Sequence, residues 1–522
     1  RSPTTSTWSC CCASPFAMKY LCCAFAALLC CLALSSLGDA QQSPLTDYVN
    51  MHDGFYSWNV SETILYGDDY VAYNLYVQSQ KWLTHDETSE PIWTHWAQVI
   101  IPNEMLPGAD MAFLYIDGGS NKEFDNPPTD VYNIVSSVAV STGTIGIDLM
   151  QIPNQPVYFT GDPDNGRSED AMIAYTWSHF VNNTQEPDWL ARCPMTKGAI
   201  KTMDAVQEFV KTLPDVPDVK RFGVAGASKR GWTTWMVGAM QDPRVVGIVP
   251  IVAPIGNIVP QINEMWQSYG NWSFALIDYI DMNLMGWLNL PRFQEMLDII
   301  DPLAYPIAME HVPKHVVVAS MDEFFMPDSA RYYWDDLKGY KSLEIVPNAD
   351  HSLAGHAFSV LASVEQFYMA IYYNQTALLP EYDWDISADG TTITLTTQTT
   401  ENIVKARVLI SYDNPERDWR LVQCTDGISC VNLAYFVDID LEPVSPGVYE
   451  YTAPMPMDGY TAFYIEVQYE FGLNELGADK PLRITSNMSI IPTEMPYEPC
   501  PQDVCACGYD CAHNYYNGND SG

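Results

Sequence analysis

Short apolar segments alternate with helical patterns through the middle of the chain, and this alternation most restricts the possible folds. The apolar segments span residues 111–116, 144–149, 222–225, 245–252, 316–319 and 343–346. Helical periodicity lies between them, for example over residues 196–212. Right-handed crossovers between parallel strands, with helices on both faces of the sheet, satisfy this order. The pattern predicts the α/β class with a mostly parallel sheet.

Other patterns flank or interrupt this central part. Residues 48–102 alternate and are rich in aromatic side chains, which predicts antiparallel strands. Residues 254–310 form a helical segment rich in Met and Trp, which is either a cap over a cleft or an ordinary pair of packing helices. A long helix is predicted over residues 357–373. From residue 383 onward the alternation predicts an antiparallel β-sandwich of about 110 residues.

The segment from Phe222 to Trp232 carries the clearest chemical signal. A strand leads into Gly226-Ala227-Ser228, and a helical pattern follows from about Trp232. This is typical of a nucleophile elbow, a strained turn that presents a Ser hydroxyl at the carboxyl edge of a sheet. The small residues Gly226 and Gly231 would let strand and helix approach closely. Arg230 stands where such turns usually have a small residue.

An acid and then a His follow the nucleophile in chain order in this arrangement. Asp322 comes shortly after the strand at 316–319, and His351 comes just past the strand that ends at Val346. We therefore predict Ser228 as nucleophile, His351 as the base that takes its proton, and Asp322 as the group that fixes the imidazole tautomer.

Other residues of the same types fit these roles less well. His311 and His315 precede the strand that would carry the acid, and His513 lies among cysteines near the end of the chain. His356 begins the closing helix, which favours a first-turn position. Near Asp322, Glu323 would point elsewhere on the same turn, and Asp328 is predicted to cap a helix.

An oxyanion hole is predicted from backbone N–H groups. Lys229 follows the nucleophile directly, and the turn Asp117-Gly118-Gly119-Ser120 follows an earlier strand, so Gly118 and Gly119 could face the same pocket. A plain tight turn is the alternative for these glycines. For Arg230, a tie between the elbow and a buried acid is favoured over binding of a substrate carboxylate.

The first 40 residues predict export. The chain begins with Arg1, so its opening stretch is interpreted as a fragment or a translated upstream segment. Met18-Lys19 precedes an apolar run, and small residues end at Ala40, as in a cleavable signal peptide spanning residues 18–40. The run is too short for a membrane anchor. We expect a secreted protein with no stable membrane insertion after cleavage.

Cysteines and sequons agree with an oxidising compartment. Cys424 and Cys430 bracket a short loop, and four more cysteines crowd the tail, so disulfides are favoured over a zinc site. Cys193 is predicted to be a buried thiol. Glycosylation sequons occur at Asn59, Asn182, Asn271, Asn374, Asn487 and Asn519.

Net charge argues against some partners. Lys and Arg number 25 against 65 Asp and Glu, which gives a formal charge of -40. Such a chain repels phosphate backbones and anionic headgroups, so nucleic-acid binding is not expected. No glycine loop for nucleotides, metal-ligand cluster or haem motif stands out in the sequence, and we predict no cofactor and no metal.

Several longer motifs resemble one family. They are SQKWLT at 79–84, PIWTHW at 91–96, EDAMIAYTW at 169–177, CPMTK at 193–197, GASKRGWTTW at 226–235 and DEFF at 322–325. Together they resemble the PhoPQ-activated pathogenicity-related proteins, a family that includes a secreted repressor of cell proliferation from social amoebae. The resemblance runs from about residue 45 to at least residue 373. Asp117 departs from the small or hydroxyl residue that relatives tend to have there.

The resemblance implies an α/β-hydrolase fold and carries Ser228, Asp322 and His351 over as the triad. With it, the predicted organisation is a leader over 1–40, an α/β-hydrolase domain over 41–378 with a candidate cap at 254–310, a β-sandwich over 379–496 and a Cys-rich tail over 497–522.

Two functions follow from these residues and from the resemblance. The first is a secreted serine hydrolase that acts on a peptide or an ester through an acyl-enzyme, with a uronate-ester-cleaving enzyme as a subtype. The second is a non-enzymatic secreted signal that keeps the hydrolase scaffold and binds a cell-surface receptor. The first is favoured, although fold alone does not determine function.

Overall fold

The computed structural model describes residues 42–122, 126–162, 166–424, 430–473 and 480–501. The predicted signal peptide and nearly all of the Cys-rich tail, with His513 and Asn519, lie outside the described residues. Within those ranges, no helix has both the length and the apolar character needed to cross a membrane.

In the described part of the chain, nine strands form one large sheet in the order β1-β2-β3-β5-β4-β6-β7-β8-β9. β1, β2 and β3 run antiparallel to their neighbours, and β4 to β9 pair in parallel with one another. The mostly parallel sheet predicted from the apolar segments is confirmed. The strands are β1 Ser57–Tyr66, β2 Tyr70–Lys81, β3 Ile92–Pro102, β4 Met111–Ile116, β5 Ile145–Leu149, β6 Arg221–Ala227, β7 Val245–Ile251, β8 Lys314–Ala319 and β9 Lys341–Val346.

Helices cover both faces of this sheet. α2 and α9 contribute to the apolar core on one face, and α4 and α5 to the core on the other. The buried thiol predicted at Cys193, in α4, is confirmed. The helices are α1 Pro44–Asn50, α2 Asn133–Thr142, α3 Glu169–Asn182, α4 Arg192–Val210, α5 Lys229–Ala239, α6 Ile258–Tyr269, α7 Ile277–Asp281, α8 Pro291–Ile300 and α9 Ala357–Tyr372.

The start of the antiparallel region differs from the prediction. Residues 48–50 belong to helix α1, and the first strand begins only at Ser57. The side chains of Ser43 and Thr46 each accept a hydrogen bond from the other residue's backbone N–H, which makes a capping box. These hydrogen bonds stabilise the first turn of helix α1, and this local effect outweighs the alternating pattern of the residues that follow.

Two antiparallel sheets follow α9. One has the order β10-β11-β14, and the other has the order β13-β12-β15-β16 with β17 also paired to β15. Their apolar faces share one core with α9, so the sandwich is continuous with the larger sheet's helical layer. A disulfide joins Cys424 and Cys430 in the loop after β12, which agrees with the preference for disulfides and supplies a pairing that the sequence left open. The strands are β10 Tyr382–Ile386, β11 Thr392–Thr397, β12 Ile403–Asn414, β13 Val437–Asp440, β14 Val448–Thr452, β15 Tyr460–Tyr469, β16 Leu482–Thr485 and β17 Ser489–Ile491.

The strand order places a crevice at the carboxyl ends of β4 and β6. These strands are neighbours, with Ile116 opposite Gly226, but the chain visits β5 on the other side of β4 between them. The connections therefore leave in opposite directions and open a gap at this edge, where ligands bind in open α/β sheets. Gly119 follows one strand and Ser228 the other.

Candidate active site

Ser228 occupies a sharp turn between β6 and α5. Its backbone has φ 57° and ψ -125°, a conformation that costs about 1–3 kcal/mol for a residue with a side chain. A Cβ on Gly226 would lie 2.8 Å from the carbonyl oxygen of Arg230, and one on Gly231 would lie 2.7 Å from that of Ile251. Both positions therefore require glycine, as predicted. The helix begins at Lys229, earlier than expected.

Asp322 and His351 converge on this turn from the ends of β8 and β9. The Nε2 atom of His351 lies 2.8 Å from Ser228 Oγ, and its Nδ1 atom lies 2.9 and 2.8 Å from the two carboxylate oxygens of Asp322. Asp322 is buried, and its Oδ1 also accepts the backbone N–H groups of Phe324 and Phe325. The three residues proposed from chain order are thus brought together.

The charge of Asp322 determines how His351 is protonated. An ionised carboxylate only accepts hydrogen bonds, so Nδ1 must carry a proton and Nε2 is left to accept the Ser228 hydroxyl. Burial by itself would lower the pKa of His351, but the charge of Asp322 and its hydrogen bond outweigh burial. The pKa of His351 therefore lies above its ordinary value of 6.5.

The candidate oxyanion donors differ in availability. Lys229 stands at the first position of α5, where a helix leaves its N–H groups without intrahelical acceptors. The N–H of Gly118 donates to the side chain of Asp117 at 2.7 Å, which removes Gly118 as a donor in this arrangement. Gly119 has φ 119°, a backbone conformation that favours glycine. We therefore retain Lys229 and Gly119 as the candidate pair.

A narrow, mostly apolar cavity of about 60 Å³ adjoins Ser228. Most of its wall comes from the insertion between β7 and β8, including Met265, Tyr279 and Met285. Phe324 and Phe325, next to Asp322, complete the apolar lining. The insertion therefore forms one side of the cavity that adjoins Ser228.

A charged cluster at the same place was not singled out from the sequence. Lys229 Nζ lies 3.0 Å from Glu169 Oε2 and 2.9 Å from Asp170 Oδ2. Arg230 makes a bidentate pair with Glu169, so it ties the elbow to an acid as predicted, but the side chain of that acid is partly exposed rather than buried. Partial burial opposes ionisation of Glu169, but Arg230 and Lys229 lower its pKa to about 2.

Arg192 is the other residue that sequence reasoning missed. It begins α4, is almost fully buried, and lines the cavity together with Ser228. The only available signal was position: Arg192 directly precedes the motif at 193–197, and the two acids of the cluster open the motif at 169–177.

The remaining candidates are engaged elsewhere. His315 is buried between Ser342 and Glu344, and His311 is exposed in the turn before β8. His356 flanks the start of α9, as predicted. Asp328 caps no helix with its side chain, contrary to the prediction, because its carboxylate pairs with the buried Arg417.

Glu323 contacts the backbone of the loop that carries His351. Its carboxylate accepts the backbone N–H of His351 at 3.0 Å and that of Val422, in the loop after β12, at 3.2 Å. The sandwich loop is therefore joined to the loop that carries His351. Among the residues that the structure describes, no group of three or more His, Cys, Asp or Glu side chains could hold a metal ion.

The sheet order, the elbow at the end of β6 and the acid and His after later strands define an α/β-hydrolase fold. Residues 45–420 match the family described as PhoPQ-activated pathogenicity-related protein, and the chain belongs to that family.

One curated relative is similar over nearly the whole chain. It is autocrine proliferation repressor protein A of Dictyostelium discoideum, 38% identical over 490 residues that cover 92% of this chain and 97% of the relative.

Solved structures give more distant likenesses. An acetyl xylan esterase from a Thermoanaerobacterium species is 14% identical, with a TM-score of 0.40 over 63% of this chain and 96% of that one. A glucuronoyl esterase from Solibacter usitatus is 13% identical, with a TM-score of 0.37 over 63% of this chain and 88% of that one.

Proposed function

We propose that the protein is a secreted serine hydrolase that cleaves an ester or peptide bond through an acyl-enzyme. One observation carries the proposal: Ser228 Oγ lies 2.8 Å from His351 Nε2, while Nδ1 of the same ring faces the buried carboxylate of Asp322. That connectivity prepares the hydroxyl to lose its proton as it attacks a carbonyl carbon.

In the first half-reaction, Ser228 Oγ bonds to the carbonyl carbon and its proton passes to His351 Nε2. Negative charge develops on the former carbonyl oxygen, and the N–H groups of Lys229 and Gly119 are proposed to stabilise it. The tetrahedral species collapses when the bond to the leaving group breaks. His351 then donates its proton to the departing alkoxide or amine, which leaves an ester on Ser228.

In the second half-reaction, water replaces the leaving group. His351 Nε2 takes a proton from the water as its oxygen attacks the acyl carbon. Collapse of the second tetrahedral species breaks the bond to Ser228 Oγ, which recovers the proton from His351. Throughout, the carboxylate of Asp322 stabilises the imidazolium without itself being protonated.

Secretion is supported by the disulfide and by three of the six sequons. Disulfides such as Cys424–Cys430 persist in oxidising compartments. Asn59, Asn182 and Asn374 are exposed, as glycosylation requires. Asn487 is buried and donates to the carbonyl oxygen of Asp328, so we exclude that sequon from the glycosylated set.

A second function is a secreted signal that acts on a cell-surface receptor without catalysis. The specific support is the name of the relative from Dictyostelium discoideum, an autocrine proliferation repressor, together with the extent of the similarity. In that case the hydrolase scaffold would serve as a binding surface, and Ser228 would be dispensable.

A fluorophosphonate probe tests the first function directly. We expect it to label wild-type protein, to fail with Ser228→Ala, and to react slowly with His351→Ala. Ser445→Ala, an exposed serine in the sandwich, is the matched control and should be labelled like wild type. Folded wild-type protein that resists the probe would contradict the hydrolase.

Growth measurements separate the two functions. Purified wild-type and Ser228→Ala protein would be added to Dictyostelium discoideum cultures. A hydrolase that signals through its product loses its effect with Ser228→Ala. Equal repression by both proteins would favour the receptor ligand.

A further inference from the structure

The Arg192 guanidinium is a buried cation in the wall of the cavity beside Ser228. The residue is 1% exposed, and the whole side chain lies within the protein. Its Nη1 donates to the carbonyl oxygen of Lys229 at 2.6 Å, and its guanidinium carbon lies 4.3 Å from the ring centre of Trp232. These contacts hold the guanidinium against the backbone of Lys229, the residue that follows Ser228.

Most of the hydrogen-bonding capacity of Arg192 is unused. Guanidinium has five N–H donors in one plane, and stacking on Trp232 involves the face rather than these donors. Among the described residues, one acceptor contacts the group, and its buried Nε has none. No carboxylate of the described residues lies within ion-pairing distance of it.

Asp170, the acid in the lining of the cavity, already has two partners. Asp170 Oδ1 accepts the hydroxyl of Tyr279 at 2.9 Å, and Asp170 Oδ2 pairs with Lys229 Nζ at 2.9 Å. Burial lowers the pKa of Arg192 to about 10, which still leaves the group charged at neutral pH. Asp170 acts on the guanidinium electrostatically, but among the described residues no carboxylate forms an ion pair with Arg192.

The ion pairs beside the cavity do not include Arg192. Lys229 and Arg230 pair with Glu169 and Asp170, so these two cations and two carboxylates balance one another without the guanidinium of Arg192. This occurs in a chain whose formal charge is -40. An unpaired buried charge is strongly unfavourable unless something neutralises it. A bound anion would do so.

We propose that Arg192 binds a carboxylate of the substrate, so that the enzyme selects an apolar ester or amide that bears a carboxylate at the end entering the cavity. The proposal rests on the proposed hydrolase and adds its substrate class. A planar carboxylate matches the in-plane donors of guanidinium, and charge-assisted bonds of this kind are the strong ones. The apolar walls, including Met285 and Phe325, would contact the rest of the group.

Binding of hexanoate and of hexanamide tests the site without turnover. The two probes share one apolar chain and differ in charge. Calorimetric titration of wild-type protein is expected to show hexanoate binding about 10-fold to 100-fold more tightly than hexanamide. Equal affinities would overturn the proposal.

Variants assign the preference to Arg192. In Arg192→Met the two probes should bind equally, and in Arg192→Lys the preference for hexanoate should be reduced but present, because the charge remains and the planar fork is lost. Lys211→Met removes one charge from the exposed end of the same helix and should behave like wild type. A full preference for hexanoate in folded Arg192→Met would contradict the assignment.

The same preparations distinguish this proposal from the proposed function. Ser228→Ala should retain the preference for hexanoate, since binding does not need the nucleophile. Fluorophosphonate labelling with equal probe affinities would overturn only the carboxylate site. Failure of labelling with an intact, Arg192-dependent preference would overturn only the hydrolase.

Discussion

Two arginines are buried to the same extent in two regions that border the candidate site, yet their surroundings differ. Arg417, in the loop after β12, lies 3.0 Å from Glu264 and 3.0 Å from Asp328, and its Nη1 donates to Ser268 Oγ. Arg192 has no carboxylate partner among the described residues. Both are 1% exposed, and Nε lacks an acceptor in both.

The comparison separates a structural cation from a binding cation. Arg331 also pairs with Glu264, so two arginines balance two acids where the sandwich loop contacts the insertion. That region is complete without a ligand. Arg192 has no such pair among the described residues, and the segment from Asp322 to Asp328 joins the two regions: Phe325 lines the cavity, and Asp328 pairs with Arg417.

The largest effect is expected from Asp322→Asn, in the segment that connects the regions. The amide cannot hold His351 in the same tautomer, so hydrolysis and probe labelling should fall about 10⁴-fold while the fold persists. Rates of fluorophosphonate labelling, with circular dichroism of the same samples, measure both. A variant that labels at the wild-type rate would remove Asp322 from the mechanism.

Arg417→Met should cause the largest loss of stability. It leaves Glu264 and Asp328 with one fewer cation in a buried place, and breaking such a pair costs about 3–5 kcal/mol. Arg192→Met breaks no ion pair among the described residues and loses one hydrogen bond and the contact with Trp232, so its loss of stability should be smaller than that of Arg417→Met. Urea denaturation of both variants measures the difference, and equal losses would break the comparison.

Glu323→Gln tests whether the sandwich loop helps to position His351. Glutamine keeps the size but weakens the hydrogen bonds to the N–H groups of His351 and Val422, so kcat should fall up to about tenfold with little change in KM. The charge of Glu323 also raises the pKa of His351. The acid limb of the pH profile should therefore move to lower pH, which a purely structural role would not produce.

The smallest expected effect concerns the pH dependence of labelling in wild-type protein, on the acid side of the profile. His351 acts as a base only when it is neutral, and its pKa lies above 6.5 because Asp322 outweighs burial. Labelling should increase with pH through a midpoint above 6.5. A midpoint below that value would mean that burial, rather than Asp322, controls the ring.

Much of the site could be predicted because its signals are local. Each member of the triad follows the end of a short apolar strand, and parallel strands bring such ends to one edge of a sheet. The glycines at 226 and 231 mark a close approach that only a strand–turn–helix unit requires. The same reasoning overlooked α1, where a capping box outweighs the alternating pattern.

Other features depend on groups that are distant along the chain. Asp328 was predicted as a cap, but its partner Arg417 is 89 residues away. No local pattern reports such pairings, because a hydrogen bond depends on which side chains packing brings within about 3 Å.

The sequence by itself determined the α/β class, the elbow and the order of nucleophile, acid and base, since periodicity and turn chemistry are properties of neighbouring residues. The tertiary structure alone decided which charges are balanced. Arg192 and Arg417 are the same side chain with the same burial, and only the folded chain places two carboxylates beside one and a cavity beside the other. The reason is physical: the energy of a buried charge depends on what surrounds it in space.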